Sequence, residues 1–119
     1  MNTLLENNSK IAVGGRKKMF PQNIILLEAE VNYTKLYLVN GEWVLVAMCL
    51  KELEERLQNF DFFRSHRSFL INLSFVKEID QTSDCVFLKD NLIAKISRRR
   101  RTSLKQKMIA HFYKNITPA

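Results

Sequence analysis

The sequence predicts a mainly β domain with two helices, one in mid-chain and one at the C-terminal end. Three observations carry this. Short apolar runs of strand length recur between turn signals from residue 10 to residue 96. One of those turns is Asn40-Gly41, a dipeptide suited to a β-hairpin. Apolar residues at helical spacing occur at 50–58 and again after Ser97.

In order, residues 1–9 are polar and expected to be a flexible N-terminal segment, with the folded domain over 10–119. Residues 10–13 form a short strand, and Gly14-Gly15 a turn, followed by basic Arg16, Lys17 and Lys18. Pro21, Gln22 and Asn23 break the chain again. Residues 24–29 are almost continuously apolar, the pattern of a central strand. Residues 32–39 are the next strand, with Glu30 and Val31 in the bend. A two-residue type I′ turn at Asn40-Gly41 would pair Leu38 with Trp43 and Leu36 with Leu45 on one face. Tyr37, Val39, Val44 and Val46 would lie on the other, so both faces should be covered. Leu50, Leu53 and Leu57 give a helix over 50–58, with Glu52 and Arg56 a favourable pair four residues apart. Strands follow at 62–63, 69–71, 75–79, 86–88 and 92–96, the last two joined by Lys89, Asp90 and Asn91. Ser97 can cap a final helix that carries Leu104, Met108, Ile109 and Phe112 on one face.

The 119 residues allow one domain with a modest core. Net charge is +7, unevenly placed. Up to Asn91 there are 11 basic and 12 acidic residues; from Leu92 onward there are 8 basic and no acidic ones. The excess is therefore local, and points to nucleic acid or an anionic membrane surface. Cys49 and Cys85 form no ligand cluster and read as small core residues of a reducing compartment. No apolar run approaches membrane-spanning length and no signal peptide is visible, so the expected location is the cytoplasm. Nothing resembles a phosphate-binding loop, a nucleophile elbow or a carboxylate pair. Two histidines without clustered cysteines are too few for a typical zinc site. No catalytic residue, metal, cofactor or small-molecule substrate is expected.

Three donor-rich segments stand out. Phe63-Arg64-Ser65-His66-Arg67-Ser68-Phe69 is a basic, acid-free stretch closed by apolar residues, suited to an anion or else an ordinary solvated turn. Asn32, Tyr33, Thr34 and Lys35 each carry a donor, and are either a binding segment or a polar strand start. Arg98, Arg99, Arg100 and Arg101 open a helix whose dipole disfavours cations there. Stability alone would not select them. A phosphate clamp explains them, and a solvated basic face is the alternative.

Together, residues 24–35, 50–57, 63–72 and 96–99 resemble the LytTR-type DNA-binding domain, an output domain of bacterial response regulators in two-component systems. The most specific match is Arg64-Ser65-His66-Arg67-Ser68 ending in Asn72. The resemblance spans roughly residues 10–112. It implies an elongated stack of small antiparallel β-sheets with peripheral helices, and DNA contacts made by loops in two successive major grooves. By position it assigns DNA binding to Asn32, Tyr33, Thr34 and Lys35, to His66, Arg67 and Ser68, and to Ser97, Arg98, Arg99 and Arg100. Cys49 stands where that family often has a capping threonine, and the receiver domain usual upstream in the family has no counterpart within these 119 residues, as expected of either a stand-alone regulator or an excised domain. The implied function is a sequence-specific, double-stranded DNA-binding transcriptional regulator that uses paired or repeated sites, with a homodimer on DNA. The alternatives are an RNA or single-strand binder, or a module docking on a protein or membrane surface.

Overall fold

The computed structural model describes residues 9–80 and 82–116. The expected flexible segment therefore lies outside the described residues, apart from Ser9. The strands are β1 (Ile11–Gly14), β2 (Lys17–Met19), β3 (Ile24–Ala29), β4 (Thr34–Leu38), β5 (Trp43–Val46), β6 (Phe62–His66), β7 (Phe69–Asn72), β8 (Val76–Asp80), β9 (Cys85–Leu88) and β10 (Ile93–Lys95). The helices are α1 (Leu50–Arg56) and α2 (Arg101–Asn115). All pairings are antiparallel. They form a β1–β2 hairpin, a five-stranded sheet in the order β5-β4-β3-β7-β6, and a three-stranded sheet in the order β10-β9-β8. The expected mainly β class, with small antiparallel sheets and two helices, is what the chain adopts.

The five-stranded sheet has cover on both faces. One face packs Ile24, Leu27, Leu36 and Leu70 against Val13 of β1 and Leu50, Leu53 and Leu57 of the α1 region. The other packs Ile25, Leu26, Phe63 and Ile71 against Val86, Leu88 and Ala94 of the small sheet and Leu104 of α2. This explains the unbroken apolar run of β3. A bulge between Ile24 and Leu26 breaks strict alternation, so Ile25 and Leu26 enter the same cluster. Asn72 is buried but satisfied: its Nδ2 donates to the Ile24 carbonyl at 2.8 Å and its Oδ1 accepts from Ser74 N at 3.0 Å. The far half of α2 is tied down by Asp61, which meets His111 Nδ1 at 2.6 Å and Lys114 Nζ at 3.2 Å. Burial alone would raise the Asp61 pKa. The two hydrogen bonds outweigh it and the net shift is downward.

Five expectations need correction. The Asn40-Gly41 turn is not type I′, because Asn40 is not among the residues with positive φ. Gly41 N donates to Leu38 O at 3.1 Å, and Leu38 N to Glu42 O at 2.9 Å. That is a three-residue loop with Gly41 alone in the left-handed region (φ 88°). Register slips by one, pairing Tyr37 with Trp43 and Leu36 with Val44. The slip moves Leu45 to the outer face, where Trp43 is 54% and Leu45 42% exposed, so on that face β5 lies open and only Tyr37 and Val39 pack on the core. The consecutive left-handed pair a type I′ turn requires occurs instead at Asp90 and Asn91.

Second, His66 ends strand β6 and does not lie in a loop. Third, Ser97 adopts an extended cap conformation, but its hydroxyl caps nothing. A 3-10 turn, Arg98–Arg100, intervenes before α2. Fourth, Leu104 is buried and Met108 packs on the core, but Ile109 and Phe112 are more than half exposed, since His111 takes the inward position. Fifth, Cys49 is exposed and Cys85 half-buried, so neither is a core residue. Cys49 is the N-cap of α1 and gives it no side-chain bond.

Gly41→Val should destabilise the fold by about 1–2 kcal/mol, the cost of forcing a side chain into left-handed backbone. A Cβ there meets nothing within 4 Å, so the cost is conformational and not steric crowding. Urea unfolding should show a lower midpoint at unchanged slope.

Candidate nucleic-acid interface

One end of the five-stranded sheet carries the donor-rich segments. The loop after β3 closes with Glu30 N donating to Tyr33 O at 2.7 Å. Ala29 N donates to Ser68 O at 2.9 Å, which ties that loop to the β6–β7 turn. Ser97 N donates to Ser65 O at 2.8 Å, which ties the start of the α2 region to β6. The three segments thus form one rim, joined by backbone hydrogen bonds.

The Ser65 link depends on a bulge between Arg64 and His66. Ser65 falls out of the β6–β7 ladder, and its fully buried hydroxyl donates to Lys95 O at 2.8 Å. Strand bulges re-aim side chains in this way. His66 then turns its Nδ1 to accept from Ser68 N at 3.1 Å. This places the ring proton on Nε2 when the histidine is neutral. Burial, then the charges of Lys95, Arg67 and Arg64, hold the His66 pKa below its usual 6.5.

Each predicted residue has a definite place. Asn32 is exposed and Tyr33 is 51% exposed, both at the tip of the β3–β4 loop. Thr34 is buried and spends its hydroxyl on Met48 O at 2.7 Å, so it holds the loop and presents no donor to solvent. Lys35 Nζ lies 4.4 Å from the Trp43 ring centroid and 4.9 Å from that of Tyr37. Tyr37 donates to Glu28 Oε1 at 2.9 Å. Burial, then that bond, push its pKa up to about 12, so Lys35 faces a neutral phenol. Arg67 and Arg99 are exposed, and their guanidinium groups make no hydrogen bond or ion pair among the described residues. Arg98 is 88% exposed, 4.0 Å from Asp84. Arg100 is half-buried and donates to Arg64 O at 3.1 Å. Ser97 Oγ is buried with no partner among the described residues. Glu54, Arg64, His66, Arg67, Ser97, Arg99 and Arg100 surround a cleft of about 330 Å³. The Asn32 loop borders a separate one.

Arg64 is the organising residue that the sequence reading left out of the site. Its guanidinium donates to His66 O at 3.0 Å, Arg67 O at 2.6 Å and Glu54 Oε1 at 2.8 Å. The planar fork reaches these acceptors with three separate nitrogens, Nε, Nη1 and Nη2, in fixed directions. The sequence signal was its place in the Arg64–Ser68 stretch, but its partners are backbone carbonyls and one glutamate on α1. Asp84 plays a similar part at α2. The helix has no acid in its first turn, and Asp84 supplies one from the β8–β9 turn by pairing with Arg101.

Among the described residues no cluster of three or more metal-ligating side chains occurs, and no helix is long and apolar enough to cross a membrane. A family model described as the LytTr DNA-binding domain matches residues 4–109. The chain is 38% identical over 73 residues to the sensory transduction protein LytT of Oceanobacillus iheyensis. That match covers 59% of this chain and 30% of the relative's length, so the chain spans about a third of the curated relative it matches. It also superposes on the LytTr DNA-binding domain of a methyl-accepting/DNA response regulator from Bacillus cereus. The TM-score is 0.69 at 20% identity, covering 84% of this chain and 96% of that one. At that identity the likeness concerns the fold.

Two outcomes are expected of this geometry. Arg64→Lys keeps the charge, but one ammonium nitrogen cannot reach acceptors placed around three guanidinium nitrogens, so stability should fall by about 1–3 kcal/mol. Hydrogen exchange at the Ser68 amide should accelerate more than at core amides. For His66, the folded protein favours the neutral ring, so its contribution is present above the unfolded pKa near 6.5. It is lost as pH falls from there through the lowered folded value. Urea unfolding from about pH 7 down to about pH 5 should show a decline that His66→Gln reduces.

Proposed function

This chain belongs to the LytTr DNA-binding domain family, and on that premise we propose that it is a sequence-specific transcriptional regulator that reads duplex DNA with loops. The observation that carries the reading is the rim: three donor-bearing segments held side by side by Ala29–Ser68 and Ser97–Ser65 backbone bonds, with Arg67 and Arg99 unspent on the protein.

Asn32, Tyr33 and Lys35 form the first contact, with Thr34 as their anchor. His66, Arg67 and Ser68 form the second. Ser97, Arg98 and Arg99 form the third, with Arg100 bracing Arg64. Strands in a sheet stand about 4.8 Å apart, and β4, which the first segment leads into, lies three spacings from β6, beside which the third is held, so these segments start roughly 14 Å apart before the loops are added. The body itself extends 42 Å, enough to face successive major-groove entries about 34 Å apart along the helix. Phosphate binding by the acid-free C-terminal quarter supplies affinity and makes it salt-dependent. The donor forks of Arg67 and Arg98 supply base reading. Paired or repeated sites, with two copies on one duplex, complete the proposal. Two carboxylates beside the rim are committed to structure, Glu54 to Arg64 and Asp84 to Arg101, while Glu30 stays exposed in the β3–β4 loop.

Selection of bound sequences from random duplex DNA tests the reading, followed by paired affinities for the selected site and a scrambled duplex at one salt concentration. Arg67→Lys should leave scrambled-duplex binding nearly intact and weaken the selected site by about 1–3 kcal/mol. Equal losses on both would make Arg67 a phosphate contact. Enrichment of no duplex sequence, with tighter binding to single strands, would replace the proposal with single-strand recognition.

A further inference from the structure

We propose that the β1–β2 hairpin is a fourth DNA-contacting segment, in which Arg16, Lys17 and Lys18 bind phosphates flanking the stretch that the rim reads. This rests on the duplex-binding reading above and extends it to a surface that reading does not use.

The placement comes from three contacts. Gly14, where β1 ends, lies so close to the β5–α1 connection that a Cβ there would stand 3.5 Å from Val46 Cβ, 3.6 Å from Ala47 N and 3.6 Å from Met48 Cβ. Met48 O in turn accepts the Thr34 hydroxyl at 2.7 Å. Thr34 is paired with Val46 and with Ala29, so it opens β4 directly beneath the Asn32–Tyr33 tip. The hairpin turn therefore sits at the same end of the sheet as the rim, next beyond the β3–β4 loop. Across that end the order is hairpin, β3–β4 loop, β6–β7 turn and Ser97 segment.

The hairpin is also a firm support. Val13 is fully buried in the α1 core, and Arg56 Nη1 donates to Ala12 O at 3.3 Å. Its charges are unspent: Arg16, Lys17 and Lys18 are exposed, and their side chains make no hydrogen bond or ion pair among the described residues. No acidic residue occurs between Lys10 and Gln22. Lysines on a short edge strand can also serve to block edge-to-edge pairing. That role does not account for Arg16, which lies in the turn. A cation cluster at the end of a phosphate-binding rim does.

The test pairs a protein change with a DNA change. Affinity is measured for wild type and for the triple variant Arg16→Gln/Lys17→Gln/Lys18→Gln. The duplexes carry the selected site with flanks of full length or trimmed on one side or the other. Wild type should lose on the order of tenfold at low salt when one particular flank is trimmed. The variant should bind long and trimmed duplexes alike, at the affinity of wild type for the trimmed one. Its log K against log salt slope should be shallower by about 0.9 per lost contact. Arg16→Lys/Lys17→Arg/Lys18→Arg, which keeps the charges, should restore the flank effect. Because the three side chains are exposed, thermal unfolding of the variants should match wild type. Wild-type binding that ignores both flanks would overturn the hairpin contact while leaving the rim intact. So would a variant with an unchanged salt slope. Absence of wild-type binding to any duplex would overturn the DNA-binding reading and this inference with it.

Discussion

The Ser65 bulge is the constraint on which the arrangement depends. Without it, β6 would run in register to its end and the Ser65 carbonyl would point into the β6–β7 ladder. With it, that carbonyl is free for Ser97 N and the hydroxyl for Lys95 O. One fully buried residue therefore couples the large sheet to the last strand of the small sheet and to the entry of α2. Removing the hydroxyl would leave Lys95 O without this donor in a part-buried position, a loss of about 1–3 kcal/mol concentrated where the basic segment begins. The bulge also sets the bend that Arg64 then clamps.

Charge around the rim is sorted by partner. Arg64, Arg100 and Arg101 are committed to carbonyls or carboxylates within the domain, while Arg67 and Arg99 are not. Composition treats these residues alike, but the structure divides them into braces and free cations. His66 follows the same logic. Its neighbours Lys95, Arg67 and Arg64 make a further positive charge unfavourable, so it serves as a neutral hydrogen-bonding hinge between β6 and the turn. Preorganised donors need little reordering when a ligand arrives, which favours affinity.

Much of the fold was legible because its signals were local. The apolar run of β3 and the leucine spacing of α1 are properties of consecutive residues, and both elements appear where expected, with β3 bounded at residues 24 and 29. The Asn40-Gly41 hairpin was found in place but misread in type, because one left-handed glycine serves a three-residue loop as well as a type I′ turn. That single slip decided which face of β5 meets solvent. The three donor-rich segments were legible from composition, but their alignment on one rim was not. It comes from hydrogen bonds between residues some 30 to 40 apart, such as Ala29 with Ser68 and Ser97 with Ser65. The burial of Thr34 was hidden for the same reason, since Met48 is its partner.

The pairing of β3 with β7 has a consequence for how the chain reaches this state. Leu26 lies opposite Ile71, across 45 intervening steps of sequence that hold β4, β5, α1 and β6. The two most deeply buried strands meet only by closing that long loop, which topology makes slow compared with forming either neighbouring hairpin. Until closure, Ile24, Ile25, Leu26 and Leu27 have no β7 beside them, and in the nascent chain they form an uncharged β-prone run. Conditions that delay closure should therefore divert the protein toward self-association through this strand. The hazard belongs to the pathway, since the native state buries Ile24, Ile25, Leu26 and Leu27 almost completely.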